Sequence, residues 1–282
     1  MTVVLITGCT SGFGEKAALA LARAGAQVAA GCRDTAKAAS LVAAAAAENL
    51  ILVPVTIDVR DEASVAACVA DVHARLGPID VVVNNAGLHL IAPAEMASIE
   101  QSAAILDTNV LGALRVMKAV LPDMRARGAG RIVNITSGAS FIAVPHMAMY
   151  AASKHALDCL SAAMANEVRP FGVEIVSVAP GCFNTAIMDK GILARDTFGY
   201  SAYAARQCQQ HIDDVAAAPE SSPVADAIVQ AALGATAPLR TLVGNDVQVL
   251  KQVAEIKDGY QAWFAPGPEL MEKAAVTAGS AG

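Results

Sequence analysis

The chain lacks the long runs and clusters that mark several large classes of protein. Although 55% of its 282 residues are hydrophobic, no apolar stretch reaches the roughly 20 uncharged residues that a membrane-spanning helix needs. Lysine and arginine form no single basic cluster and the net charge is -6, which argues against binding to a nucleic-acid backbone. The six cysteines include no Cys-x-x-Cys pair, and no charged leader precedes the first apolar run. We therefore expect a cytoplasmic protein with no nucleic-acid and no membrane partner.

Short apolar runs alternate with helix-length segments along the chain. The runs predict strands at Val3–Ile6, Val28–Gly31, Ile51–Val55, Ile79–Val83, Arg131–Thr136, Val173–Val178 and Thr241–Val243. Strands that alternate with helices predict an α/β fold, in which a parallel sheet of about seven strands has helices on both faces. No internal repeat or linker divides the chain, so we expect a single domain over residues 1–282.

A glycine-rich loop directly follows the first predicted strand. Gly8, Gly12 and Gly14 have the spacing Gly-x-x-x-Gly-x-Gly and precede an alanine-rich helical segment. Glycines allow the backbone to approach a ligand closely, and the first N–H groups of a helix favour an anion such as a pyrophosphate. The spacing departs from the commoner Gly-x-Gly-x-x-Gly fingerprint. From these residues alone, nucleotide binding and an ordinary tight turn are equal alternatives.

Tyr150 and Lys154 lie four residues apart, so a helix would place them on the same face. A tyrosine hydroxyl has an ordinary pKa near ~10, and a neighbouring ammonium group can stabilise the phenolate. Such a pair could exchange a proton with an alcohol at neutral pH. An exposed aromatic beside a solvated lysine is the alternative for an isolated pair, but this pair accompanies the glycine loop.

Over residues 3–187 the chain resembles the short-chain dehydrogenase/reductase family. The family's motifs occur in its order as Thr7-Gly-Cys-Thr-Ser-Gly-Phe-Gly14, Asp58-Val59, Asn84-Asn-Ala-Gly87, Asn109-Val-Leu-Gly112, Ser137, Tyr150-Ala-Ala-Ser-Lys154 and Pro180-Gly181. Segments 121–127 and 167–172 look closest to the branch of 17β-hydroxysteroid and retinol dehydrogenases. The resemblance implies a Rossmann-type, doubly wound domain with a substrate lobe at about 183–220 and a C-terminal extension at about 263–282. It also implies a small-molecule alcohol or ketone substrate and a homodimer or homotetramer.

By this resemblance, most of the motifs contact a nicotinamide cofactor. The implied residues are Gly8, Ser11, Gly12, Phe13, Gly14, Arg33, Asp58, Val59, Asn85, Ala86, Gly87, Tyr150, Lys154, Pro180, Gly181 and Thr185. Asp58 would bond the adenine amino group, although a plain turn residue is the alternative. Asn84 is expected to tie neighbouring strands together. Thr185 would contact the nicotinamide carboxamide or phosphate, with a helix N-cap as the other interpretation.

The choice between NADP and NAD depends on residues that follow the second predicted strand. A carboxylate there bonds the ribose 2′-hydroxyl of NAD, whereas an arginine accommodates the 2′-phosphate of NADP. Uncharged Cys32 stands at the family's acidic position and Arg33 follows it. NADP is therefore favoured, and NAD is the alternative if Arg33 is only a solvated charge paired with Asp34.

The resemblance implies four catalytic residues, Asn109, Ser137, Tyr150 and Lys154. Ser137 and Tyr150 would hydrogen-bond the substrate oxygen, with Ser140 as the alternative serine, and Tyr150 would transfer the proton. Lys154 would lower the pKa of Tyr150 and bind the nicotinamide ribose, and Asn109 would hold a water linked to Lys154. Three histidines, His89, His146 and His155, lack the spacing and partners of metal ligands, so we predict no metal site.

These residues predict an NADP-dependent oxidoreductase that interconverts a secondary alcohol and a ketone. The alternatives are a 3-oxoacyl carrier-protein reductase, which a basic surface at the site mouth would favour, and a non-catalytic NADP-binding regulator. The substrate is expected to be mostly apolar because the segments around the reacting carbon carry little charge. Their apolar residues are Leu88, Leu90, Phe141, Ile142, Val144, Met147, Met149, Phe183, Ile187 and Met188.

Overall fold

Seven parallel strands form the central sheet of the computed structural model, which describes residues 1–185, 192–193, 202–248 and 251. The strands in chain order are β1 (Val3–Thr7), β2 (Gln27–Cys32), β3 (Leu52–Thr56), β4 (Val81–Asn84), β5 (Leu90–Ile91), β6 (Gly130–Ile135), β7 (Val173–Pro180), β8 (Ile192–Leu193) and β9 (Arg240–Val243). The sheet order is β3-β2-β1-β4-β6-β7-β9, and β5 pairs separately with β8. The predicted doubly wound parallel sheet is therefore confirmed, and its strand order reverses between β1 and β4.

Within the described part of the chain, eight α-helices connect these strands. They are α1 (Gly12–Arg23), α2 (Ala39–Ala47), α3 (Glu62–Arg75), α4 (Ile99–Leu106), α5 (Ala113–Arg127), α6 (Ala148–Val168), α7 (Ala202–Ala217) and α8 (Ser222–Leu233). Local sequence sets several of their ends: Ser98 and Gln101 form a capping box at the start of α4, and Gly128 ends α5 with a φ of 67°. A π-helical segment at Asp107–Gly112 joins α4 to α5.

Alternate residues of each central strand face two separate hydrophobic cores. Val4 and Ile6 of β1 pack with α1, α2 and α8 on one face, whereas Val3 and Leu5 pack with α3, α5 and α6 on the other. Strands buried on both faces explain the continuous apolar runs in the sequence. Within the described ranges, no helix is long and apolar enough to cross a membrane.

One predicted segment lies partly, and another wholly, outside the described residues. They are residues 186–191 and 194–201 of the predicted substrate lobe and the whole predicted extension at 263–282. The described part of the lobe contains α7, whose Cys208 and Ile212 pack against a small cluster that includes Tyr150. This contact places α7 beside the residues predicted to be catalytic.

Candidate active site

A cavity of about 380 Å³ lies at the carboxyl ends of the strands, where the order of the sheet reverses. Loops after β1, β2, β3 and β4 meet there, as expected for ligand sites of open parallel sheets. It is lined by Gly8, Thr10, Ser11, Gly12, Phe13, Cys32, Arg33, Ile57, Asp58, Val59, Arg60, Asn85, Ala86, Gly87, Leu88, Thr108, Ile135, Thr136, Tyr150, Lys154 and Thr185. The structure thus brings most of the predicted cofactor residues to one cavity, which we call the cofactor cavity.

The glycine loop after β1 has the close backbone packing that a pyrophosphate site needs. Gly8 and Gly12 adopt φ values of 76° and 60°, which favour glycine. Asn85 fastens the loop because its Nδ2 atom donates to the carbonyls of Thr7 at 2.8 Å and Gly8 at 3.1 Å. Gly14 lies behind the loop and does not line the cavity: a Cβ atom there would overlap the Gly8 carbonyl oxygen. Its observed role is packing, and the predicted cofactor contact stays a prediction.

Two charged residues follow β2, and of these Arg33 lines the cofactor cavity whereas Asp34 does not. Arg33 is exposed and lines the cavity, and among the described residues its guanidinium makes no salt bridge or hydrogen bond. The Asp34 carboxylate instead accepts the Ala36 N–H at 3.0 Å and so begins a 3-10 turn. The alternative pairing of Arg33 with Asp34 is therefore not seen.

Asp58 pairs with an arginine that sequence reasoning missed. Arg60 donates from Nε to Oδ1 at 3.0 Å and from Nη2 to Oδ2 at 2.6 Å, and both residues line the cavity. These hydrogen bonds lower the pKa of Asp58 to about 2, so the carboxylate is ionised at neutral pH. The only available signal for Arg60 was its position two residues after the Asp58-Val59 motif. Asp58 therefore has a turn-stabilising role besides the predicted contact with adenine.

Tyr150 and Ser137 form the polar centre of the site. Tyr150 is buried and lines the cofactor cavity, while the Ser137 hydroxyl accepts the Ala139 N–H at 3.1 Å. Burial raises the pKa of Tyr150, while the interaction with the Ser137 side chain acts in the opposite direction. Ser140, the alternative serine, instead donates its hydroxyl to the Lys154 carbonyl at 3.0 Å. Ser137 is therefore the serine whose side chain interacts with the phenol.

Burial sets the direction of the pKa shift of both Lys154 and Tyr150. The Lys154 Nζ atom lies 5.8 Å from the Tyr150 ring centroid and donates to the Ile135 carbonyl at 2.9 Å. Burial lowers the pKa of Lys154 to about 8 and raises the pKa of Tyr150. The net shift of Tyr150 is thus upward and not the lowering expected from Lys154, because desolvation dominates.

Asn109 holds three elements together within the π-helical segment. Its Nδ2 atom donates to the Leu88 carbonyl and to the Ser153 hydroxyl, both at 3.0 Å, while its Oδ1 atom accepts the Leu88 N–H at 2.8 Å. Both amide donors are thus used by protein partners. Asn109 positions α6 against the loop after β4, and its predicted bond to a water stays a prediction. Asn84 ties β4 to β6 as expected, since its amide donates to Asn134 Oδ1 at 2.8 Å.

A second cavity, of about 230 Å³, adjoins the first and shares Phe13, Tyr150 and Thr185 with it. We call it the substrate cavity. Its other lining residues are His89, Ser137, Gly138, Ala139, Ile142, Val144, Met147, Pro180, Gly181, Cys182, Phe183, His211, Val215 and Asp246. Pro180 and Gly181 thus line the substrate side and not the cofactor cavity. Thr185 lies between the two cavities.

The predicted apolar lining is partly confirmed. Ile142, Val144, Met147 and Phe183 line the substrate cavity. Leu88 lines the cofactor cavity, Phe141 lines neither, and Leu90 and Met149 pack in a separate small core. Ile187 and Met188 lie outside the described residues.

Sequence reasoning missed the polar members of this cavity, His89, His211 and Asp246. His89 was considered only as a metal ligand, although its position two residues after the Asn84-to-Gly87 motif could have placed it at the site. The Asp246 carboxylate accepts the Cys182 N–H at 2.6 Å and holds the segment after β7. His211 offered no signal because it lies on a helix far along the chain.

Comparisons with known proteins agree with this site. Residues 2–194 match the model of the short chain dehydrogenase family. Human 17-beta-hydroxysteroid dehydrogenase type 1 is 40% identical over 195 residues, which cover 67% of this chain and 59% of that protein. Human retinol dehydrogenase 8 is also 40% identical, over 182 residues that cover 63% of this chain and 58% of that protein. The match thus spans about three fifths of the length of these two relatives.

Solved structures extend the similarity beyond the matched segment. A short-chain dehydrogenase from Streptomyces avermitilis is 31% identical with a TM-score of 0.81, covering 99% of this chain and 97% of that chain. A gluconate 5-dehydrogenase from Burkholderia cenocepacia, in complex with NADP and tartrate, is 30% identical with a TM-score of 0.73, covering 88% and 95%. The family match, which spans more than half of the residues, confirms the resemblance drawn from the motifs. The chain belongs to the short-chain dehydrogenase/reductase family.

Proposed function

We propose that this protein is an NADP-dependent oxidoreductase that interconverts a secondary alcohol and a ketone on a mostly apolar substrate. The observation that carries the proposal is the convergence of the Ser137 and Tyr150 side chains on one cavity. Tyr150 lines both cavities and Ser137 lines the substrate cavity, so the two hydroxyls lie where a cofactor and a substrate would meet. Lys154 lies one helical turn behind Tyr150 and also lines the cofactor cavity.

The glycine loop and the loop after β4 fit a nicotinamide dinucleotide. The positive φ angles of Gly8 and Gly12 let the loop turn so that both residues line the cavity at the start of α1, where backbone N–H groups favour a pyrophosphate. When bound, the cofactor supplies or accepts the hydride. Arg33, Asp58 and Asn85 would hold its adenosine and central parts, and Thr185 would lie near its nicotinamide end.

The chain's own residues would handle the substrate oxygen and its proton. In the reducing direction, the Ser137 and Tyr150 hydroxyls donate hydrogen bonds to the ketone oxygen, where negative charge develops. Tyr150 then gives its proton to that oxygen. The buried ammonium of Lys154 would stabilise the phenolate left behind and so offset part of the desolvation that raises the pKa of Tyr150.

Arg33 supports NADP as the preferred form of the cofactor. Its guanidinium makes no hydrogen bond or salt bridge with the described residues, and the nearest carboxylate along the chain, Asp34, is used by a turn. Cys32 ends β2 where a carboxylate would favour NAD. The NADP in the gluconate 5-dehydrogenase neighbour is consistent with this choice.

The substrate cavity supports an uncharged, largely apolar substrate over an acyl carrier-protein conjugate. Among the described residues that line it, none is lysine or arginine, and Asp246 would repel an anion. A basic surface that would favour the carrier-protein alternative is thus not seen in that lining. A purely regulatory NADP-binding role is less well supported because Asn109, Ser137, Tyr150 and Lys154 are all retained. Assembly into a homodimer or homotetramer stays a prediction, which light scattering would test.

The test is NADPH oxidation, followed by absorbance, with a panel of cyclic, aromatic and steroidal ketones and one small 2-oxo acid. We expect turnover of the apolar ketones and no detectable turnover of the acid. Tyr150→Phe is the matched variant, since it keeps the ring and removes the hydroxyl, and it should lose ~10²–10³-fold in rate. Near-parental turnover by Tyr150→Phe, or a preference for the charged acid, would contradict the proposal.

A further inference from the structure

Two histidines lie beside the tyrosine predicted to be catalytic, in the substrate cavity. The His89 ring lies on Tyr150, with centroids 4.2 Å apart and planes tilted by 34°. The His211 ring stacks on His89, with centroids 5.7 Å apart and planes at 18°. All three residues line the same cavity. One histidine follows β4 and the other lies on α7, so the loop and the lobe helix converge on Tyr150.

The two imidazoles carry polar atoms that the described protein does not satisfy. His89 is only 5% exposed, and its Nδ1 atom is buried without a hydrogen-bond partner. The Nε2 atom of His211 is likewise buried and unpartnered. Leaving a buried polar atom unpaired costs free energy, so such atoms are normally hydrogen-bonded or await a ligand. Their place in the substrate cavity makes a substrate the natural partner.

Both rings are uncharged at neutral pH. Burial, with a smaller effect of His211 and Lys154, lowers the pKa of His89 to about 3. Burial also lowers the pKa of His211. A neutral imidazole has one N–H donor and one acceptor nitrogen, so it suits a hydroxyl or a carbonyl. It gives no ionic attraction to a carboxylate or a phosphate, and Asp246 on the same wall disfavours an anion.

We propose that His89 and His211 recognise a second, uncharged oxygen of the substrate, on a carbon close to the one that is oxidised or reduced. This inference rests on the proposed function and narrows its substrate to hydroxyketones, diketones and the matching diols. The stacking geometry limits the distance, because His89 lies directly on the tyrosine whose hydroxyl would bind the reacting oxygen. Apolar residues such as Ile142 and Met147 line the same cavity and would contact the carbon skeleton.

The experiment compares 2-hydroxycyclohexanone with cyclohexanone, which differ by one hydroxyl beside the carbonyl. The variants are His89→Phe and His211→Phe, which keep an aromatic ring and remove the nitrogens. His73→Phe, on α3 and away from both cavities, is the matched control. Values of kcat/KM are measured with NADPH for each enzyme. Dissociation constants of both ketones are measured by calorimetry with NADPH in a Tyr150→Phe background, which keeps the ring under His89.

We expect the parent and His73→Phe to favour the hydroxyketone by about 10- to 100-fold. Each of the other two variants should lose about 10-fold on the hydroxyketone and stay within about 3-fold on cyclohexanone. Equal losses on both ketones would overturn the inference, since they would indicate packing or proton transfer instead of recognition. His211→Phe provides the result if His89→Phe fails to fold, because His211 is only partly buried.

The calorimetry separates this inference from the proposed function. One outcome is that neither ketone is turned over, but the Tyr150→Phe background binds the hydroxyketone more tightly than cyclohexanone and loses this preference when His89→Phe is added. In that case the proposed function fails and the recognition site stands. If both ketones are reduced with no preference in rate or in binding, the proposed function stands and the recognition site is refuted. The absence of turnover and of any preference in binding would refute both.

Discussion

Replacing Arg33 by alanine should selectively weaken the binding of NADPH. The guanidinium lines the cofactor cavity and makes no hydrogen bond or salt bridge with the described residues, so its donors are available for the 2′-phosphate. A charge-assisted hydrogen bond contributes ~1.5–3 kcal/mol, and the exposure of Arg33 reduces this by solvent screening. We therefore expect a loss of ~1–2 kcal/mol, which corresponds to about a 5- to 30-fold rise in the Kd for NADPH.

The same change should alter the Kd for NADH by less than about 3-fold, because NADH has no phosphate at that position. Arg60 should not replace Arg33, since both oxygens of the Asp58 carboxylate hold its guanidinium. Lys37→Ala is the matched control: it removes one exposed positive charge from the adjacent turn and does not line the cavity. Both constants can be measured by fluorescence titration. Equal weakening of NADPH and NADH, or a parent that prefers NADH, would refute the reasoning.

Two further predictions concern stability. The pKa of Lys154 falls from 10.5 in the unfolded chain to about 8 in the folded protein, so between these values the unfolded state binds more protons. The parent should therefore gain stability as the pH rises from 8 to 10.5, by at most about 3 kcal/mol. Lys154→Met should not show this gain. The measurement is urea denaturation of both proteins at pH 7 and pH 10, and an equal change of stability in the two proteins would contradict the prediction. Gly14→Ala should lower the free energy of unfolding by ~1–3 kcal/mol and weaken NADPH binding, because its Cβ atom would overlap the Gly8 carbonyl oxygen. Parental stability together with parental NADPH affinity would show that the loop tolerates the methyl group.

The sheet and the position of the site were predictable because both follow from short-range patterns. Apolar runs of strand length alternate with helical segments, and the carboxyl ends of parallel strands meet at one edge. The loops that contain Gly8, Asp58 and Asn85 therefore had to converge. Spacing within one helix likewise placed Tyr150 and Lys154 on neighbouring turns of α6.

Features that depend on burial or on distant contacts were not predictable in this way. The pKa of Tyr150 is set first by desolvation, which a sequence does not reveal, so the expected effect of Lys154 was misjudged. Gly14 packs so closely against the Gly8 carbonyl that a Cβ atom would not fit there, and a sequence motif does not specify the position of that carbonyl. The stack of His89 and His211 joins residues far apart in sequence through the docking of α7.

Transfer of a labelled hydride tests the central claim most directly. The purified protein would be incubated with NADPH that carries deuterium at the transferable position of the nicotinamide, together with the best apolar ketone of the panel. We predict that mass spectrometry will find one deuterium on the carbinol carbon of the product, and that Tyr150→Phe will form ~10²–10³-fold less labelled product in the same time. An alcohol product without deuterium, or equal labelling by Tyr150→Phe, would contradict the account.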